Sequence, residues 1–595
     1  MTDVLVIGGG GAGITAAVSA SKLGAEVIIV AKGKIGNSGN TIMIGGSYAM
    51  DGESAFTEYG FEKADRGLTK DVLFNSIIND GFHISDQNLV KQFVDESPWI
   101  VNEVRVWAEE AKQTFKFGRP ATWSMSGRAM GRALHHGLSK SSNITEIDDV
   151  IIVELIKDDS RVIGALGIDI FTGEFIKISS KACVLATGGY QPFSLKNTNS
   201  DMTGDGLAMA FKAGAELADM EFLLFLLTAL EPNEIKGSIM PVYFSFFGFK
   251  FKISDRNGNE IEIPDELKSI KQKSELCKLI DLYYIGNAIS NGRGTNQDGV
   301  FLDFSDSTDK EINEMFDNLI DYYQNFYRKG YYHSDNVNEY RDIVLQNRRI
   351  EVGMGNEYTL GGIMIDEKMR TSVNGLYAAG ECTSGTFGSN RVADAVTEMI
   401  VQGYRAGQTA VEECLSFEHK QVDTSGLVKK YTDLFHNENG ITAIEANLKI
   451  EQISDKGIHF IRNEDGLKLA IKQFEALEEA LENVTITSKS KKYNMEWIRA
   501  IQAKNRLICA KLSALMALER QESRGLHLRS DFPYVNNDDY IIRQFARMEK
   551  GKIKLYTRKP IITTYDVPVG GNYKYFDYIL QHKMGLENLV YNEEG

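Results

Sequence analysis

Six residues near the start constrain this chain more than any others: Gly8-Gly9-Gly10-Gly11-Ala12-Gly13, set between the β-branched run Asp3 to Ile7 and the helical stretch Ile14 to Leu23. Gly8, Gly10 and Gly13 fit G-x-G-x-x-G. The first glycine permits a tight turn, the second lets the backbone approach a pyrophosphate, and the third lets helix pack on strand. The helix start then offers its unpaired N–H groups to the phosphates. Ala25 to Val30 supplies a second strand, completing the βαβ unit that a dinucleotide-binding domain requires. The competing reading is a turn that packs a helix and holds no ligand. Consecutive glycines cost conformational entropy on folding, which favours a need for close backbone approach. The acidic residue usual after the second strand is absent, since Val30 is followed by Ala31 and Lys32, so NAD is the less attractive dinucleotide.

Two distant segments repeat the strand-then-glycine pattern: CVLATGGY at Cys183 to Tyr190 and NGLYAAGEC at Asn374 to Cys382. A pattern that returns after so long a gap predicts one sheet completed by chain arriving from an inserted domain. At 595 residues the chain exceeds a single core, and three or four units are expected. A net charge of -16 repels a phosphate backbone, which argues against a nucleic-acid partner. Cys183, Cys277, Cys382, Cys414 and Cys509 form no C-x-x-C pair, so neither a disulfide framework nor a metal or cluster ligand set is expected. Any iron–sulfur cluster then belongs to another chain, and a reducing, cytoplasmic compartment is expected. No stretch of about 18 apolar residues predicts a membrane span.

Taken in order, GGGGAG at 8–13, SGNTIMIGG at 38–46, ATGG at 186–189, TGDGLAMAFKAGAELADMEF at 203–222, EYTLGG at 357–362, GLYAAGEC at 375–382, SNR at 389–391 and ERQESRGLHLRSDFP at 519–533 resemble the flavoprotein subunits of the succinate dehydrogenase and fumarate reductase family. That family also includes L-aspartate oxidase and adenylylsulfate reductase. The resemblance implies an α/β FAD-binding Rossmann-like domain (1–225 and 346–415), split by an α+β capping domain (226–345). A helical C-terminal domain (416–548) and an extension (549–595) follow. It implies FAD, with Gly8, Gly10, Gly11, Ala12, Gly13, Lys32, Ser38, Gly39, Asn40, Gly45, Gly46, Ala186, Thr187, Gly188, Asp205, Glu381, Arg391 and Val396 near it. From chemistry alone, Asp205 and Glu381 read equally as acceptors for flavin-side hydroxyls or as ordinary turn carboxylates.

The departures are as informative. Respiratory members attach the flavin to a histidine in a Ser-His-Thr run; here that run aligns with Ser38-Gly39-Asn40, and glycine has no side chain to make the bond. Noncovalent FAD and a poorer oxidant are expected. Of the dicarboxylate-binding set, the first histidine falls at Leu226 while its threonine is kept at Thr228. The proton-shuttling arginine falls at Phe246 or Phe247, Glu357 replaces a second histidine, and Arg391 persists after Asn390, where the following segment, VADAVTE, is one residue short. Losing two cations and gaining a carboxylate leaves a dicarboxylate badly paired, each charge-assisted contact being worth about 1.5–3 kcal/mol. A larger, more apolar substrate is expected, with a single acid group on Arg391. Glu357, Tyr358 and Tyr243 are the candidate proton donors. The plainer readings are a solvated turn for Glu357 and a half-buried cap strand for YFSFFGFKF at 243–251.

His135 and His136, adjacent on a helix, point to different faces and read as surface or core residues, not metal ligands. From Ser425 to Arg547 apolar residues recur at helical spacing and predict a bundle. Arg524, His527 and Arg529 read as structural, and KIKLYT and PIITTY in the tail are strand-like. The expected function is FAD-dependent hydride or electron transfer with a small organic substrate, of the kind that reduces an activated C=C bond. Electrons would be exchanged through an iron–sulfur or ferredoxin-like partner, and an oligomer is compatible. The alternative is a flavin-bearing electron-relay or structural subunit without substrate chemistry.

Overall fold

The computed structural model describes residues 1–580 except 44–46, 63, 115, 120–121, 159–160, 197, 200, 266, 269–276, 327–331 and 391–394. Gly45, Gly46 and Arg391 therefore lie outside the described residues, as does the side chain of Phe246.

The strand Thr2–Ile7 lies in a parallel sheet between Val27–Val30 and Phe175–Leu185, and Ile144–Ile147 extends the sheet beyond Val27–Val30. At the centre, Thr2–Ile7 and Val27–Val30 are largely apolar and largely buried, as a parallel sheet demands, while Ile144–Ile147 is a more exposed edge. Phe175–Leu185 is long enough to serve two partners. Its first half pairs antiparallel with Val162–Asp169; its second half pairs with Thr2–Ile7 and, on the other edge, with Leu376–Ala378. The two strand-then-glycine segments thus meet in one sheet, Cys183 opposite Leu376. Helices Gly11–Lys22 and Ala395–Cys414 pack together on this sheet. Gly403 and Gly407 allow the contact, since a Cβ there would fall 2.3 Å from the Ala12 carbonyl oxygen and 2.2 Å from that of Ala16.

Between these halves the chain builds an antiparallel sheet in the order Leu223–Glu231, Arg349–Thr359, Val300–Asp303, Lys252–Ser254. The stretch YFSFFGFKF is not the strand that its alternation suggested. Met240–Phe246 is a helix with Pro241 in its first turn, where a missing N–H costs nothing, and Gly248 turns the chain at φ +68°. Phe244 is held by ring packing on the nearby Phe249 and on Phe304, Phe316 and Tyr340, the last three from elements far apart in sequence, and these contacts override the local pattern.

Helices Ser425–Thr432, Ala443–Gly457, Glu464–Leu481 and Met495–Glu519 form the C-terminal bundle. Strands Arg543–Glu549 and Lys552–Arg558 return to pair beside Leu217–Ala218. PIITTY, by contrast, is not a strand. It is held irregularly by the buried Gln87, whose Oε1 accepts the N–H groups of Thr563, Thr564 and Tyr565. Among the described residues no helix is long and apolar enough to cross a membrane.

Candidate functional site

A cavity of about 810 Å³ runs from the glycine turn to the inserted sheet, within the size range of cofactor and substrate pockets. Its floor is the turn itself. Gly8 lies at φ +124°, and a Cβ there would sit 2.1 Å from the Ala186 carbonyl oxygen; a Cβ on Gly13 would sit 1.8 Å from that of Gly8. Gly13 does not line the cavity; it brings helix onto strand so that Gly10, Gly11 and Ala12 can. The Gly11 N–H donates to Thr41 Oγ1 at 3.0 Å, while the remaining first-turn N–H groups, which lack intrahelical acceptors, stay available to an anion.

At one wall Lys32 Nζ lies 3.3 Å from Asp205 Oδ2. Asp205 also accepts from Thr203 Oγ1 (2.7 Å), Gln502 Nε2 (3.1 Å) and Asn505 Nδ2 (3.0 Å). Burial opposes its charge, but Lys32 and these donors outweigh it and hold the carboxyl below its usual range. Asp205 is therefore a fixed anion that orients Lys32 and Thr203. Asn40 ties the opposite wall together, donating to Glu381 Oε2 at 3.5 Å and accepting from the Asn199 N–H at 3.1 Å. Gly39, at φ +75°, would direct a Cβ into open space. The Thr198 hydroxyl is buried without a hydrogen-bond partner among the described residues. Glycines at backbone contact, free N–H groups and an unsatisfied buried hydroxyl fit a dinucleotide lying along this wall.

Of the sequence-based candidates, Gly8, Gly10, Gly11, Ala12, Lys32, Ser38, Gly39, Asn40, Ala186, Thr187, Gly188, Asp205, Glu381 and Val396 line this cavity, and so do Glu357, Tyr358 and Tyr243. Phe247 does not; it is half-buried against the core. The Tyr358 hydroxyl donates to Glu398 Oε2 at 3.1 Å, and Gln402 Nε2 donates to Glu398 Oε1 at 3.1 Å. Gln402 is itself fixed, its Oε1 accepting from Gly380 N and Thr383 Oγ1, each at 2.8 Å.

Sequence reasoning missed Thr198, Asn199, Arg128, Met399 and the whole stretch Glu234 to Met240, all of which line the cavity. The last could have been found from Pro232 and Gly237, which mark a turn just after an apolar strand. Arg524, His527 and Arg529 lie elsewhere, fully buried. Arg520 and Arg524 share Glu522 Oε1, each at 2.8 Å. His527 Nδ1 accepts from Arg462 Nη1 at 2.7 Å and its Nε2–H donates to the Arg520 carbonyl at 3.1 Å. His135 and His136 face Glu146 and Glu110 separately.

Residues 3–394 match the family described as FAD binding domain, and residues 447–573 match the fumarate reductase flavoprotein C-terminal family. An FAD-dependent oxidoreductase of Methanocaldococcus jannaschii is 28% identical over 551 residues, covering 89% of this chain and 94% of its own length. A chain of the CoM/CoB fumarate reductase of Methanothermobacter marburgensis is 27% identical, with 89% and 94% covered. Among solved structures, a quinol fumarate reductase chain from E. coli superposes with a TM-score of 0.79 at 22% identity, covering 95% of this chain and 98% of that one. The adenylylsulfate reductase of Archaeoglobus fulgidus gives 0.73 at 19%, with 95% and 97% covered. At these identities the superpositions establish the fold.

Proposed function

Because the chain belongs to the flavoprotein family of fumarate reductase and succinate dehydrogenase, and is an FAD-dependent oxidoreductase, we propose that it holds FAD noncovalently and exchanges hydride or electrons with an organic substrate that is not a C4 dicarboxylate. Reduction of an activated carbon–carbon double bond is the reaction class that fits best. The observation that carries this reading is Glu357, whose side chain lines the cavity with no counter-ion among the described residues. A second substrate carboxylate would meet that charge, and a missing charge-assisted contact costs about 1.5–3 kcal/mol.

Gly39 supports noncovalent binding, since it offers no nucleophile where its wall opens. Bound FAD supplies the two-electron chemistry; the chain supplies the cradle, the exclusion of water by the inserted domain, and a proton. Tyr358, its hydroxyl aligned by the buried Glu398, is the best-positioned donor, with Glu357 and Tyr243 on the same wall. The retained Arg391 would take a single acid group. Electrons would pass through a separate iron–sulfur or ferredoxin-like chain. The domain limits 1–225, 226–345, 346–415, 416–548 and 549–595 are part of this proposal.

The rival reading is a relay subunit without substrate chemistry. A cavity that continues past the glycine cradle to Glu234, Met240 and Tyr358 favours an enzyme. Anaerobic reoxidation of the reduced holoprotein discriminates between them. An unsaturated carbonyl acceptor larger than fumarate is expected to restore the flavin absorbance, with fumarate at least about 10-fold slower. Fumarate turnover as fast as that of the larger acceptors would contradict the reading, and a response only to a redox protein would favour the relay.

A further inference from the structure

The acid that a dinucleotide-binding domain usually carries after its second strand, where it meets the ribose of the adenosine half, is missing here, and Lys32 stands in that region. The fold brings a carboxylate to the same place from elsewhere in the chain. Asp205, the first residue of the helix Asp205–Ala213, lies 3.3 Å from Lys32 Nζ, so this end of the cavity offers a fixed anion to the adenosine half of a dinucleotide. Its Oδ2 accepts from Lys32, Thr203 and Gln502, while among the described residues its Oδ1 accepts only from Asn505. A carboxylate oxygen takes about two hydrogen bonds, so Oδ1 keeps one position for a ribose hydroxyl.

The two amides come from the C-terminal bundle. Gln502, Asn505 and Cys509 sit at i, i+3 and i+7 on the helix Met495–Glu519, one stripe set against the cavity segment that leads into Asp205. Neither amide lines the cavity; both are buried behind the carboxylate. Gly204 lets the stripe come so close, since its φ is +72° and a Cβ there would fall 2.7 Å from Cys509 Sγ. The Asn505 amide has one workable orientation. Lys212 Nζ donates to its Oδ1 at 2.8 Å, and because an ammonium only donates and a carboxylate only accepts, its NH2 must face Asp205. One turn on, Arg506 grips the same cavity segment, donating through Nε and Nη2 to the Gln191 carbonyl at 2.9 and 2.7 Å. Without Asn505, every remaining side-chain donor to Asp205 lies on its Oδ2 side and nothing fixes Oδ1.

We propose that Gln502 and Asn505 are positioning residues of the cofactor site: from the C-terminal bundle they hold Asp205 at the adenosine end of the cavity, so that the bundle, and not the dinucleotide-binding domain alone, sets the preference for FAD over FMN. The inference rests on the noncovalent binding in the proposed function, and it goes beyond that reading in giving the helical domain a part in choosing the cofactor.

The test dialyses the FAD-loaded full chain against graded FAD or FMN and identifies the retained flavin by chromatography, which gives a dissociation constant for each. Asn505→Leu and Gln502→Leu are each expected to weaken FAD at least about 10-fold and to leave FMN, which has no adenosine half, within about twofold. Lys511→Ala, on the same helix but paired with Glu478 inside the bundle at 2.7 Å, should change neither constant. A double-mutant cycle adds a second check: in an Asp205→Asn background, Asn505→Leu should cost little more FAD affinity, because both changes remove the same contact. Unchanged FAD affinity, equal losses for FAD and FMN, a comparable loss in Lys511→Ala, or additive effects in the cycle would overturn the proposal and leave noncovalent FAD binding standing. A flavin that stays with the protein through acid precipitation would overturn both.

Discussion

Gly13 shows what a single missing methyl group does for this site. A Cβ there would lie 1.8 Å from the Gly8 carbonyl oxygen, so strand and helix would have to part, and with them the wall made by Gly10 to Ala12. Gly13→Ala is expected to cost at least about 1–3 kcal/mol in denaturant unfolding and to lower the flavin-to-protein ratio of the purified chain. Gly426, where an added Cβ meets nothing within 4 Å, is the control; its alanine variant should stay within about 0.5 kcal/mol with full flavin content. Equal flavin content in both variants would mean that the turn is not the cradle. The role of Gly13 was legible from spacing, because the G-x-G-x-x-G turn is a local backbone requirement. Asp205 was legible as a site residue but not in its part: four donors from three segments hold it, and Gln502 and Asn505 arrive from a helix almost three hundred residues away.

At the scale of elements, the loop after the helix Met495–Glu519 packs arginines and carboxylates with no exposure to solvent, where each charge needs its partners to offset desolvation. His527 in this loop is kept neutral by burial first, then by Arg462, Arg520 and Arg529. His459, half-buried against Phe193 and Phe225, is likewise pushed down by desolvation, to about 4. A histidine whose folded pKa lies below its unfolded value takes up its proton first in the unfolded chain. The stability it contributes is full above about pH 6.5 and falls as pH drops toward the folded value. Urea unfolding between pH 7 and 5 should therefore lose stability by up to roughly 1.4 kcal/mol per pH unit for each of the two histidines. His459→Phe should make the fall shallower, and a flat profile would contradict this assignment. Elements were less legible than residues. Alternating aromatics over 243–251 suggested a strand, and only the contacts of Phe244 with Phe304, Phe316 and Tyr340 explain why a helix won. For the wall from Glu234 to Met240 the local signal was only a turn, marked by Pro232 and Gly237, which says nothing of what the turn faces.

For the molecule as a whole, the fold was legible because three strand-then-glycine segments must share one sheet, and they do: Thr2–Ile7 and Leu376–Ala378 flank Phe175–Leu185. The same reasoning could not supply the substrate, which depends on how the inserted sheet sets Glu357 and Tyr358 against the helix carrying Tyr243. In the proposed function these distant segments together form a noncovalent FAD cradle, with Gly39 where an attached flavin would need a nucleophile. Acid precipitation of the purified yellow protein tests it most directly. The flavin is expected to leave with the supernatant, identifiable as intact FAD in a ratio near one per chain. A colourless protein that takes up no FAD, or a flavin that stays with the precipitate, would contradict it.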